Sequence, residues 1–264
     1  MAGVVDVLAA TDVETFGRGF GIAWLALALS VLGALVSFAC VRHAKYSLRF
    51  RLVWLTMAAV SLGGVGIWLA DAVALLAIRV PDSVIRLNAA LGASALAVAV
   101  VGVLAGLLIA GREPQLPRLV VGGLTMGLSV GLSIYLTLDA LEVQGGVDES
   151  LGLIGLAILL SIAVCTAMLW AFQVIRSIPL RIAGSLLFAL GAAGVYFFAI
   201  TALEFTIDPG SRTPSGLPLF DMVFPMFVIG ALGLTVPITA VLVAPDRREA
   251  AQRTEAPRRP VAAR

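Results

Sequence analysis

The sequence predicts an all-α, polytopic membrane protein of seven transmembrane helices, and three observations carry that reading. Only 13% of the 264 residues are charged, whereas a soluble domain carries roughly 25%. Hydrophobic residues make up 60% and the mean hydropathy is +1.05, more apolar surface than a core of this size hides, so a lipid bilayer must cover it. Runs of about 20 apolar residues, the length that crosses a hydrocarbon layer of about 30 Å, recur seven times.

In chain order, residues 1–18 read as a short outer segment. Met1 to Ala10 holds no basic stretch and is followed by Asp12 and Glu14, so no cleaved signal peptide is expected and the first span itself targets the membrane. The seven runs are Gly19–Val41, Leu52–Ile78, Ala89–Ala110, Leu119–Leu141, Leu151–Ile175, Ile182–Leu203 and Leu219–Val243. Residues 19–243 are therefore one membrane domain. Between the sixth and seventh runs, Glu204 to Pro218 holds Pro209, Gly210, Pro214, Gly216 and Pro218, which predicts an irregular loop. Pro225 and Pro237 in the last run predict a kinked or locally opened helix. Residues 244–264 are rich in Arg, Ala and Pro and predict a disordered basic tail lying near anionic headgroups. The tail has no interleaved aromatics, so nucleic acid is not an expected partner.

Lys and Arg set the orientation. With the N-terminus outside, the inner loops hold Arg42, Lys45, Arg49, Arg51, Arg112, Arg118, Arg176 and Arg181, and the tail adds six arginines. Only Arg18, Arg79, Arg86 and Arg212 fall outside, and the outer stretch Glu142 to Glu149 is purely acidic. The N-terminus is expected outside and the C-terminus in the cytoplasm. Cys40 and Cys165 lie within apolar runs and read as small packing residues rather than a disulfide. His43, the sole histidine, reads as a solvated residue of the first inner loop.

Three windows near the outer ends of the even-numbered runs hold the functional information. One acid, Asp71, interrupts the glycine-rich run from Gly63 to Leu75. Aligning Ala70 with Ser133 and Val195 gives offsets of 63 and 62 residues. Each window follows a Gly-rich approach: Gly63, Gly64 and Gly66; Gly123, Gly127 and Gly131; Gly184, Gly191 and Gly194. That spacing predicts three parallel two-helix repeats with a seventh helix outside the pattern. Small residues at this spacing let helices approach closely. They predict a tight bundle of the second, fourth and sixth helices, not a nucleotide site, because no strand precedes them.

The period, the seven spans, the N-out topology and the window positions resemble the MHYT family of bacterial membrane sensor domains, over roughly residues 20 to 243. In that family each window carries Met, His, an aromatic residue and a second Met. A His and a Met one turn apart share a helix face, and imidazole plus thioether suits Cu(I), the ion the family is thought to bind. Here the matching positions are Ala70, Asp71, Ala72 and Leu75; Ser133, Ile134, Tyr135 and Leu138; and Val195, Tyr196, Phe197 and Ile200. No His or Met stands at any signature position, so the resemblance implies a sensor scaffold in the bacterial cell membrane without its copper site, and no cofactor is expected.

Asp71 then needs another reason to be there. A carboxyl group at the middle of a membrane helix costs roughly 2.5–3.5 kcal/mol on insertion scales, so it is expected to face the bundle. Counted to Ile78, it lies about 10 Å inside its run. Tyr196, then Tyr135, are the expected hydroxyl partners, with Ser133 on a facing surface. Asp139, Glu142, Glu204 and Asp221 add acids near the same rim and read as solvated helix ends or, with Asp71, as a hard-cation or proton site.

Catalysis is not expected: no Ser-His or Cys-His pair and no metal-ligand spacing occur, and no cyclase, phosphodiesterase or kinase domain is attached. The first functional reading is a sensor-like or accessory integral membrane protein that signals through a separate partner. The alternative is a small transporter or channel-like protein with Asp71 on a cation or proton path.

Overall fold

The computed structural model describes residues 16–47, 49–76, 86–142, 145–207 and 216–243. The expected outer segment up to Thr15, the basic tail from Ala244, and Arg79, Pro209, Gly210, Arg212 and Pro214 lie outside the described residues.

Seven helices are long and apolar enough to cross a membrane. They are α1 (Phe16–Tyr46), α2 (Arg51–Leu75), α3 (Ala89–Ala110), α4 (Leu116–Asp139), α5 (Leu151–Val174), α6 (Ile178–Thr201) and α7 (Leu219–Val243). Local chemistry sets several ends. Asn88 caps α3 by accepting from the backbone N–H groups of Ala90 and Leu91. Prolines stand in the first turns of α4 and α6, where the missing N–H breaks no helical bond. At the other end of α1, Lys45 Nζ donates to the carbonyl oxygens of Phe172 and Gln173, at 3.0 and 3.2 Å, and so satisfies the C-terminus of α5.

Helices that follow one another in the chain pack side by side from α3 to α6, α1 packs on α6, and α2 touches α1, α3 and α7. In α2 67% of the most apolar window is inside the protein, against 17% in α7, which makes α2 the central helix. The tight bundle of α2, α4 and α6 does not form. The glycines serve neighbours in sequence instead, because short connections already place those helices together. A Cβ at Gly127 would strike the Ile162 backbone of α5, and one at Gly63 would meet the Ala99 carbonyl oxygen of α3 at 2.8 Å. Hydrogen bonds reinforce the same pairs: Ser161 Oγ donates to the Gly127 carbonyl at 2.8 Å, and Trp68 Nε1 to the Gly92 carbonyl at 2.9 Å.

One helix departs from the regular period. The middle of α2, Val60–Leu69, is a π-helix, which period-3.6 reasoning does not anticipate. Its sequence explains the tolerance for wider turns: Ser61 Oγ bonds back to the Met57 carbonyl at 2.8 Å, and Gly63, Gly64 and Gly66 place no Cβ against the neighbours. In α7 the helix runs through both Pro225 and Pro237 without interruption.

The connections at the Asp71 end of the bundle form short strand pairs. β1 (Arg86–Leu87) lies between β2 (Leu141–Glu142) and β5 (Leu217–Pro218), all antiparallel. β3 (Gly145–Glu149) pairs antiparallel with β4 (Leu203–Ile207). The stretch expected to be irregular therefore begins and ends in strands, with the strand formers Phe205, Thr206 and Ile207 ahead of the Pro-Gly cluster.

Candidate functional site

The residues around Asp71 enclose a cavity of about 360 Å³ between α1, α2 and α6. Gly66, Ala70, Asp71 and Ala74 form the α2 wall, a set spaced so that it shares one helix face. Ala189, Ala192, Ala193, Tyr196 and Phe197 form the α6 wall by the same spacing, and α1 contributes Trp24, Leu27 and Ser30. The small side chains of Gly66, Ala70, Ala74, Ala189, Ala192 and Ala193 leave the space open.

Asp71 is 6% exposed and faces this interior, as its cost in lipid requires. It stands four residues before the last residue of α2, about 6 Å at 1.5 Å per residue. The count of about 10 Å to Ile78 runs past Leu76, beyond which Ala77 and Ile78 lie outside the described residues.

Tyr196 shares the cavity with Asp71 and lies within its electrostatic reach. The expected clamp is not closed. The buried Tyr196 hydroxyl has no hydrogen-bond partner among the described residues, nor does the buried Ser30 hydroxyl. Sequence reasoning did not single out Ser30. Its signal was a hydroxyl in an apolar run, three residues before Gly33, whose backbone approaches Gly66.

The other candidates are elsewhere. Ser133 is buried at the α3–α4 contact, where its hydroxyl donates to the Ala95 carbonyl at 2.8 Å. Tyr135 lines a separate pocket of about 20 Å³ between α4, α5 and α6, with Leu138 and Val195. Asp139 is exposed at the end of α4, and Asp221 is exposed in the first turn of α7. The β3–β4 register sets Glu204 opposite Asp148, and the Glu142 and Glu204 side chains lie outside the described residues. Among the described residues, no three of His, Cys, Asp and Glu gather closely enough to hold a metal ion. His43 is not a bare loop residue: its ring stacks on Trp54 at 4.6 Å between centroids.

At the opposite end, Arg49, Arg51, Arg112 and Arg118 line a crevice of about 690 Å³ with Glu113 and Gln115. It shares no lining residue with the Asp71 cavity.

Comparison with known proteins supplies one match. Residues 64–123 match the MHYT family, described as a bacterial signalling protein N-terminal repeat. The matched stretch starts at the glycines below Asp71 and runs through α3 into α4. No curated protein and no solved structure matches the chain.

Proposed function

We propose that this chain, which carries an MHYT signalling repeat, is a non-catalytic, sensor-like or accessory protein of the bacterial cell membrane whose scaffold no longer holds copper. The carrying observation is the lining of the Asp71 cavity. At the window where the family sets a histidine, an acid faces the interior, and none of the described residues lining the cavity around it is His, Cys or Met. Carboxylate and hydroxyl oxygens are poor ligands for a soft ion. The proposed orientation has the N-terminus outside, which sets the cavity at the outer leaflet and the arginine-lined crevice at the cytoplasmic face. That basic face is where a separate signalling partner would engage.

The transport reading has Asp71 in its favour, since a buried acid in a membrane protein marks an ion path in many cases. The separation of the outer cavity from the inner crevice supports sensing instead, because a path must connect the two faces.

The test is equilibrium dialysis of the purified full chain against Cu(I) buffered by a chromogenic chelator. The expected result is no stoichiometric copper. One ion retained per chain, and lost in Asp71→Ala, would overturn the reading.

A further inference from the structure

The unused polar groups around Asp71 point to what the cavity takes. Three groups capable of hydrogen bonding, the Asp71 carboxyl and the Ser30 and Tyr196 hydroxyls, converge on one alanine-walled space. Both hydroxyls are buried without a partner among the described residues. Buried polar groups left unbonded are rare and call for an explanation. Packing does not supply one here, because phenylalanine and alanine would fill the same places without orphaned atoms.

The size and the rim narrow the class. A volume of about 360 Å³ is far more than one water or ion needs and falls in the range of small-molecule sites. Trp24 and Phe197, which line the cavity, are 57% and 67% exposed, so the mouth opens sideways between α1 and α6 toward the lipid. A ligand entering there arrives from the bilayer and is itself lipid-soluble.

The carboxyl group decides the polar end. Two hydroxyls suffice as donors to a neutral carbonyl ligand, and an acid adds insertion cost without adding affinity for one. A cationic group recovers that cost by pairing with the carboxylate. Among the described residues, no Lys, Arg or His lines the cavity to do so. Trp24, Tyr196 and Phe197 offer aromatic faces on the same space, and such faces attract cations.

We infer that the cavity between α1, α2 and α6 binds a lipid-soluble amine, its ammonium group on Asp71 with Tyr196 and Ser30 beside it and its apolar body against the alanine walls. This rests on the sensor reading and assigns it a ligand class.

The experiment titrates monodansylcadaverine, an amine with a fluorescent aromatic head, onto the full chain in phosphatidylcholine nanodiscs. Octylamine and octanol serve as competitors of equal length with and without the cation. Saturable one-to-one binding is expected, with octylamine displacing the probe at least about tenfold more effectively than octanol. Asp71→Asn should weaken binding by about tenfold or more. Ala192→Phe, which fills the cavity from the α6 wall and keeps the acid, should abolish it. Equal displacement by amine and alcohol, or full affinity in Asp71→Asn, overturns the cationic assignment. Undiminished binding in Ala192→Phe overturns the location. Should either variant fail to fold, the competition on the wild-type chain decides. Copper retention is read separately, so a chain that binds neither amine nor copper loses this ligand class and keeps the sensor reading.

Discussion

The windows at Ala70–Leu75 in α2 and Ser133–Leu138 in α4 stand 63 residues apart at matched positions, yet their polar residues meet opposite fates. In α4 the Ser133 hydroxyl is bonded to the Ala95 carbonyl, and the glycines below it draw α5 to backbone contact. In α2 the acid opens onto a cavity where two hydroxyls stay unbonded. The difference teaches which polar groups in a membrane bundle hold helices together and which are left available. Ser133 belongs to the first kind, and Asp71, Tyr196 and Ser30 to the second.

The largest effect should come from crowding the packed window. Gly127→Ala drives a Cβ into the Ile162 backbone, which cannot yield as a side chain does, and should lower stability by about 3 kcal/mol. Gly64, below the open window, has the Leu96, Val100 and Val60 side chains near its Cβ position at ordinary contact distances of 3.5, 3.6 and 3.9 Å, so Gly64→Ala should cause no loss. Equilibrium unfolding of both in mixed micelles checks the pair. Equal losses would erase the contrast between the windows.

Next in size is Asp71→Leu. Replacing a buried acid that has no ion pair among the described residues with a hydrocarbon side chain should raise stability by about 2 kcal/mol while abolishing amine binding. A loss of stability would mean that Asp71 serves packing after all.

Much of the membrane framework was legible because lipid imposes a simple rule: apolar runs of sufficient length become helices, and the seven runs did. The inward orientation of Asp71 was legible for the same reason. The partners were not. Helix neighbours depend on which connections are short, so the glycines of α4 were assigned to the wrong contact. Period-3.6 reasoning also fails across a π-helix, whose i→i+5 bonding shifts the face that later residues present. Asp71 follows directly after such a segment, and its cavity includes a wall from α1 that no alignment of the even helices suggested. Ser133 and Tyr135 failed as companions of Asp71 because the Ser133 hydroxyl is bonded to the Ala95 carbonyl of α3 and Tyr135 lines the pocket between α4, α5 and α6.

Smaller still is the contrast between two serines. Ser133→Ala removes the bond to the Ala95 carbonyl and should cost about 1 kcal/mol. Ser30→Ala removes a hydroxyl that has no partner among the described residues and should leave the ligand-free chain unchanged. Thermal unfolding of the two variants side by side reads this directly, and a destabilised Ser30→Ala would show that its hydroxyl is already engaged.

Tyr196→Phe should have the smallest effect on stability and the most informative one on binding. The ring packs against the core and survives the substitution, while the buried hydroxyl that disappears has no partner among the described residues. Removing an unsatisfied buried group is neutral or gains up to about 1 kcal/mol. If the hydroxyl were instead a clamp on Asp71, its loss would strip a partner from a buried acid and destabilise the chain. The sign of the stability change therefore separates the two arrangements. A neutral or positive change together with weaker amine binding identifies Tyr196 as a residue held for its ligand rather than for the fold.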